Sequence, residues 1–468
     1  MKKKGLLISI ILLLIVSVSL FFLLNNKNDN YKYDEKVISN KFEYEQAVTN
    51  ESIEDTYYYS DSYFKNSSIL ENEHLRSFAF VLASAFNPTY RKEVVTSNLD
   101  KIFNELDFND IEYYDIEGFG KDTIGTSISH KKLNEKYDLV VIVLRGASYK
   151  DEWESNFDLG KDGDAKGFND ASLIVLERLN KYLNDYKIKD YKLLMTGYSR
   201  AGAVSGLTGV HINKELDRFN IGKENLYVYS FESPRYSIDN TIYDNIHNVI
   251  NKNDIITYFY PETWGFYHSG KNEEITTDKS ELDEYYLDIL SNEKIKKFDT
   301  TDKERFLQMF INILPKERSK YNEIYDSILN IYSLINSKSP SEKETIINFL
   351  NDNKINFDLS NSITLLSLIN STDKKTLRNN FDIIMSSYDS EYSKIKNVIS
   401  EQEYNLLKDS IFNIFLYLQP TIQSEYKSNH MFSIILTFSN NLEELFKEHY
   451  FSTNFEQIKK KDSYYKNA

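Results

Sequence analysis

Apolar positions along this chain change their spacing from one segment to the next. Leu75, Phe78, Phe80, Val81, Leu82, Ala85 and Phe86 recur at helical spacing, as do Leu99, Ile102, Phe103 and Leu106, and each set predicts a buried helix. Asp138-Leu-Val-Val-Ile-Val-Leu-Arg-Gly then forms a continuous, largely β-branched run, the signature of a strand covered on both faces. Residues 168–187 return to a helical period through Ala171, Ile174, Val175, Leu179 and Leu183. Residues 192–195 read as a short strand, a helix follows to about Leu216, and Leu226–Phe231 and residues 246–250 supply two more strands. Alternating strand and helix predicts an α/β fold around a mostly parallel sheet.

Beyond about residue 272 the pattern becomes helical throughout. Ile324, Ile328, Ile331 and Ile335 share one face; Leu407, Ile411, Phe415 and Leu418 share another. Ser339-Pro340-Ser341-Glu342 and Ser400-Glu401-Gln402-Glu403 have the spacing of capping boxes, in which serine and glutamate satisfy each other's backbone N–H groups at a helix start. The chain accordingly divides into an apolar leader (1–24), a polar tether (25–55), an α/β core (56–271), a helical insertion serving as cap or scaffold (272–430), and a C-terminal return to the core (431–468). No internal repeat is evident.

The leader opens Met-Lys-Lys-Lys and continues through residues 5–24 without a charge. Twenty such residues rise about 30 Å as a helix, enough to cross a bilayer. No small-residue cleavage pair follows at a suitable distance, so an uncleaved single-pass anchor is expected in place of a removed signal peptide. The lysines put the N-terminus in the cytoplasm and the body outside, in the cell membrane; cleavage would leave it secreted.

Composition narrows the chemistry. An apolar content of 41%, with 36 Tyr and 29 Phe in 468 residues, supplies a large core. A net charge of −15 and no basic run beyond the N-terminus argue against a nucleic-acid partner. Cysteine is absent, which removes thiolate nucleophiles, disulfides and Cys-based metal sites. The seven His have no zinc-binding spacing, so neither a metal nor another cofactor is expected.

The candidate nucleophile is Ser199, in Lys192-Leu-Leu-Met-Thr-Gly-Tyr-Ser-Arg-Ala-Gly-Ala-Val. A serine on a sharp strand-to-helix turn needs small neighbours so that strand and helix can approach, and Gly197, Ala201, Gly202 and Ala203 supply them. Such a serine needs a base, a carboxylate that orients the base, and donors for the developing oxyanion. In an α/β-hydrolase the order is serine, acid, histidine. Asp254 lies just beyond a predicted strand and fits the acid. The base is then His268, His430 or His449, since His247 precedes Asp254. His449, which the pattern puts at the close of a short helix after the insertion, has the most favourable position. The oxyanion donors are expected to be the backbone N–H groups of Ala147, in the loop after the strongest strand, and Arg200, beside the nucleophile.

These residues resemble the class 3 lipase-like branch of the α/β-hydrolases. In that family an F-R-G-[TS] loop is followed by D-W or E-W, a G-F pair, the serine elbow, a Ser-Pro-Arg-like turn and an N-x-x-D-I-V-P-like segment. Here Leu144-Arg145-Gly146-Ala147, Glu152-Trp153, Gly167-Phe168, Gly197-Tyr198-Ser199-Arg200, Ser233-Pro234-Arg235 and Asn251-Lys-Asn-Asp254-Ile-Ile-Thr occur in that order, over roughly residues 75–270. Ala147 departs from the usual hydroxyl residue, Ala165-Lys166 stand where the family often has a histidine, and the insertion has no counterpart. The resemblance implies lipase or esterase action on a carboxylic ester, including a lipid; the apolar N-terminal helix is expected to hold the chain at the membrane. Two alternatives stay open: hydrolysis of another acyl bond, and an inactive hydrolase fold serving as an anchored binding or scaffold module.

Overall fold

The computed structural model describes residues 32–45, 52–86, 96–116, 123–146, 150–275, 317–352, 373–426 and 449–466. The apolar leader, Ala147 and His430 lie outside these residues. Among the described residues no helix is long and apolar enough to cross a membrane.

Strands β1 (Ile38–Glu45) and β2 (Ser52–Tyr59) form an antiparallel hairpin. Seven strands then pair in chain order: β3 (Asn109–Tyr114), β4 (Thr126–Lys132), β5 (Asp138–Leu144), β6 (Tyr191–Tyr198), β7 (Leu226–Phe231), β8 (Ile246–Asn251) and β9 (Lys271–Ile275). β4 runs antiparallel to both β3 and β5, whereas β5 to β9 are parallel. The helices of the core are α1 (Glu73–Ala85), α2 (Ser97–Glu105), α3 (Lys150–Ser155), α4 (Lys166–Asp185) and α5 (Arg200–Lys214). Residues 317–426 carry α6 (Arg318–Asn336), α7 (Pro340–Asp352), α8 (Lys374–Glu391) and α9 (Glu401–Tyr426), and α10 (Phe451–Lys460) and α11 (Ser463–Lys466) follow.

The apolar run of β5 is buried because alternate residues serve two layers. Leu139, Val141 and Val143 join α1 and α10 in one cluster with Phe78, Phe80, Phe455 and Ile458. Val140, Ile142 and Leu144 join α4 and α5 in the other, with Phe168, Val175, Leu179, Val204 and Leu207. Thr196 is a buried polar residue of β6, and its hydroxyl donates to the Ala79 carbonyl at 3.0 Å, so its burial leaves no donor unsatisfied.

Some expected boundaries move. The limits at 55 and 271 fall within β2 and β9, so the tether contains strand structure and the core sheet extends past its expected end. Phe42, Tyr44, Tyr57 and Tyr59 bury one face of the hairpin against the core. The antiparallel edge formed by β3 and β4 was not expected from the sequence. Both capping boxes are present: the backbone N–H of Ser339 donates to Glu342 Oε2 at 2.7 Å, and that of Ser400 to Glu403 Oε2 at 2.8 Å.

Parallel register sets where the loops meet. Leu144 pairs with Gly197, Tyr198 with Phe231, and Phe231 with Val249. The carboxyl ends of β5, β6, β7 and β8 therefore lie at one edge, and the segments leaving them converge there.

Candidate active site

Ser199 occupies the single position between β6 and α5, with φ 58° and ψ −125°. A side chain at positive φ is strained, and the neighbours show what holds it there. A Cβ on Gly197 would stand 2.4 Å from the Ala201 carbonyl oxygen, and one on Gly202 2.8 Å from that of Phe231. Helix and strand are thus packed closer than any larger residue allows. The Ser199 N–H donates to the Phe231 carbonyl at 2.9 Å, tying the turn to the next strand. Ser199 itself is half-buried.

Arg200 is the first residue of α5, where backbone N–H groups have no partner within the helix. Its buried guanidinium donates to Asn156 Oδ1 at 3.1 Å and to the Thr123 carbonyl at 3.2 Å. The side chain therefore ties the turn to the segments at Thr123 and Asn156, while the main chain begins the helix.

Asp254 follows β8 and is fully buried. It caps a short 3-10 turn, its Oδ1 accepting from the Ile256 N–H at 2.8 Å. The other oxygen, Oδ2, receives a hydrogen bond from His449 Nδ1 at 2.5 Å. A carboxylate at Nδ1 fixes the ring tautomer and leaves Nε2 as the acceptor nitrogen. The His449 side chain keeps 17% of its exposure, against none for Asp254, so the imidazole bridges the interior and the open edge. The structure places His449 two residues before α10, and residues 442–448, where a helix ending at His449 was expected, lie outside the described residues.

His268 is placed elsewhere. Its Nε2 donates to the Ser233 carbonyl at 2.9 Å, and desolvation by the surrounding protein pulls its pKa from 6.5 down to about 4. Of the described candidates, Asp254 pairs with His449.

The Arg145-Gly146 segment leaves β5 beside the elbow strand. Arg145 and Glu152 are both fully buried and form an ion pair at 2.8 Å. The Arg145 guanidinium also donates to the Ile116 carbonyl, and its N–H to the Gly125 carbonyl at 2.9 Å. This pair ties the end of β5 to α3. Gly167 lets α4 approach α3, since a Cβ there would stand 1.9 Å from the Ser155 carbonyl oxygen.

Three side chains around His449 carried no recognisable signal. The Tyr198 hydroxyl donates to the His449 carbonyl at 2.9 Å, and Asn454 Nδ2 donates to that hydroxyl at 2.8 Å. Asn251 Nδ2 donates to Asn454 Oδ1 at 3.0 Å. Single Asn and Tyr residues at unrelated positions give no pattern, and only the fold joins them.

Helix α6 packs on the segments at Phe157, Gly163 and Trp264. Tyr321 of α6 donates its hydroxyl to the Phe157 carbonyl at 2.7 Å, Arg318 donates to the Gly163 carbonyl at 2.8 Å, and the Tyr321 ring lies 5.2 Å from that of Trp264.

Residues 141–264 match the lipase (class 3) family, in agreement with the order of motifs in the sequence. No curated protein matches the chain. Among solved structures, the Rhizomucor miehei lipase propeptide complex is similar at 21% identity and a TM-score of 0.34, covering 44% of this chain and 69% of that one. The lipase from Rhizopus microsporus var. chinensis is similar at 17% identity and a TM-score of 0.30, covering 53% and 80%. The mono- and diacylglycerol lipase from Aspergillus oryzae stands at 16% and 0.31, covering 45% and 82%.

Proposed function

We propose that the chain, whose residues 141–264 match the lipase (class 3) family, is an extracytoplasmic serine hydrolase of carboxylic esters, a lipase or esterase. The observation that carries this reading is the hydrogen bond between His449 Nδ1 and the buried Asp254 carboxylate, at the sheet edge where Ser199 forms a strained elbow.

Ser199 Oγ attacks the acyl carbon while His449 Nε2 takes its proton. Asp254 holds the Nδ1–H tautomer and stabilises the imidazolium that forms. The carbonyl oxygen becomes an oxyanion, received by the backbone N–H groups of Arg200 and Ala147. Donors of this kind are each worth on the order of 10² or more in rate. Collapse expels the alcohol, which leaves with the proton from His449. Water then attacks the acyl-enzyme as His449 removes its proton, and the carboxylic acid departs from regenerated Ser199. No cofactor enters these steps.

The uncharged run at residues 5–24, behind three lysines, supports a single-pass tether that keeps the body outside the cytoplasm, near lipid esters. Hydrolysis of p-nitrophenyl esters of graded chain length, compared with emulsified triglyceride and with acetylated glycans, tests the reading. Turnover of an ester that Ser199→Ala abolishes is expected. A folded wild type that turns over none of these contradicts it and leaves the anchored binding module.

A further inference from the structure

Three buried side chains link the segments bearing Ser199, Asp254 and His449. Tyr198 directly precedes the nucleophile at the end of β6. Asn251 ends β8, where its carbonyl accepts from the Asp254 N–H at 3.1 Å and its Oδ1 from the Asn253 N–H at 3.0 Å. Asn454 lies in the first turn of α10, five residues past His449. Tyr198 is 3% exposed, and Asn251 and Asn454 are not exposed at all.

The hydrogen bonds run in one direction. Asn251 Nδ2 donates to Asn454 Oδ1, Asn454 Nδ2 donates to Tyr198 Oη, and the Tyr198 hydroxyl donates to the His449 carbonyl. Asn454 Nδ2 also lies 3.2 Å from the Tyr450 carbonyl, so both of its hydrogens are used. Turning the Asn454 amide over would put donor against donor at Asn251. A buried polar chain of this kind tolerates few geometries, because each lost bond leaves a desolvated group unpaired.

We infer that Tyr198, Asn454 and Asn251 are positioning residues that set the backbone of His449 relative to Ser199 and Asp254. This rests on the serine-hydrolase reading. The Asp254 contact orients the imidazole about its own bonds, but the place of the ring depends on where the main chain of residue 449 sits. That main chain is held through a hydroxyl on the residue next to the nucleophile. Aromatic packing supports the same element without fixing its height: the Tyr198 ring lies 4.1 Å from Phe451, and Phe455 stacks on Phe80 at 5.3 Å.

Tyr198→Phe removes the hydroxyl and keeps the ring, and Asn454→Asp removes the donor to it. The test is the rate of fluorophosphonate labelling of Ser199 in the full chain, with its pH profile and thermal midpoint, for wild type, both single variants and the double. Each single variant is expected to label about tenfold to a hundredfold more slowly, with the acid limb of the profile displaced and a thermal midpoint lowered but still well above the labelling temperature. The double variant is expected to lose no more than the worse single one, because both act through the same carbonyl. A Tyr198→Phe variant that labels at the wild-type rate with an unchanged profile overturns the inference and leaves the hydrolase reading standing. So does a double variant whose losses multiply. Absence of labelling in folded wild type overturns both.

Discussion

Asp254 and His449 stand 195 positions apart in the chain and 2.5 Å apart in the fold, carboxylate to Nδ1. One partner caps a turn behind β8; the other precedes the helix that returns to the core after the insertion. Because Asp254 Oδ1 is already committed to the Ile256 N–H, Oδ2 has one role left, to hold the imidazole. Replacing Asp254 by Asn puts an amide opposite Nδ1 and permits the wrong tautomer. Ester turnover in Asp254→Asn should fall by about 10³ to 10⁴ with the fold retained, as steady-state kinetics beside circular dichroism would register. His268→Gln should leave turnover within a few-fold of wild type.

His268 carries a separate consequence, for stability. Its folded pKa of about 4 lies below the ordinary 6.5 because its surroundings disfavour the charged ring. Between those values the unfolded chain binds a proton that the folded chain refuses. The stabilisation is therefore complete above pH 6.5 and is lost as pH falls towards 4, by up to about 3 kcal/mol. Burial also lowers the pKa of His211 and His247, in the same sense. The urea midpoint should drop between pH 7 and pH 5, and His268→Gln should shrink that drop. An equal drop in the variant would assign the pH dependence to other groups.

Arg145 and Glu152 form their ion pair with neither side chain exposed. Removing one partner strands a buried charge, which costs about 3–5 kcal/mol. Glu152→Gln should lower the free energy of unfolding, measured by urea titration, by an amount in this range, far more than loss of the exposed Lys181–Asp185 pair. Equal effects at the two sites would mean that water enters around Arg145.

Gly197 has no room for a side chain, its virtual Cβ lying 2.4 Å from the Ala201 carbonyl oxygen. Gly197→Ala must push α5 away from β6. A loss of about 1–3 kcal/mol in stability is expected, together with a fall in turnover, because the displaced atoms adjoin Ser199. Unchanged turnover would show that the elbow adjusts without moving the serine.

What the sequence made legible follows its strongest physical signals. The β-branched run of β5 has no polar face, so a doubly covered strand was its simplest reading, and the small residues from Gly197 to Ala203 marked a close strand–helix contact. Polar strands stayed hidden. β4 reads Thr-Ser-Ile-Ser-His-Lys-Lys and β9 reads Lys-Asn-Glu-Glu-Ile; both are strands by pairing, not by composition. In β1 the alternation of Ile38, Asn40, Phe42 and Tyr44 is masked by charged neighbours, so this strand reads as part of the polar tether. The partner of Asp254 could be narrowed only by chain order, since no local pattern tells His449 from His268. Their environments separate them, and environment depends on contacts such as Asn251 to Asn454, 203 residues apart.

Fluorophosphonate labelling tests the central claim most directly. The full chain in detergent should be treated with the probe beside Ser199→Ala and His449→Ala, and the adduct located by peptide mass spectrometry. Modification of Ser199 in wild type, abolished by Ser199→Ala and reduced by orders of magnitude in His449→Ala, is the result expected of the proposed chemistry. Labelling that survives in His449→Ala at the wild-type rate would contradict the assignment of the base. No adduct on Ser199 in folded wild-type protein would contradict the account as a whole.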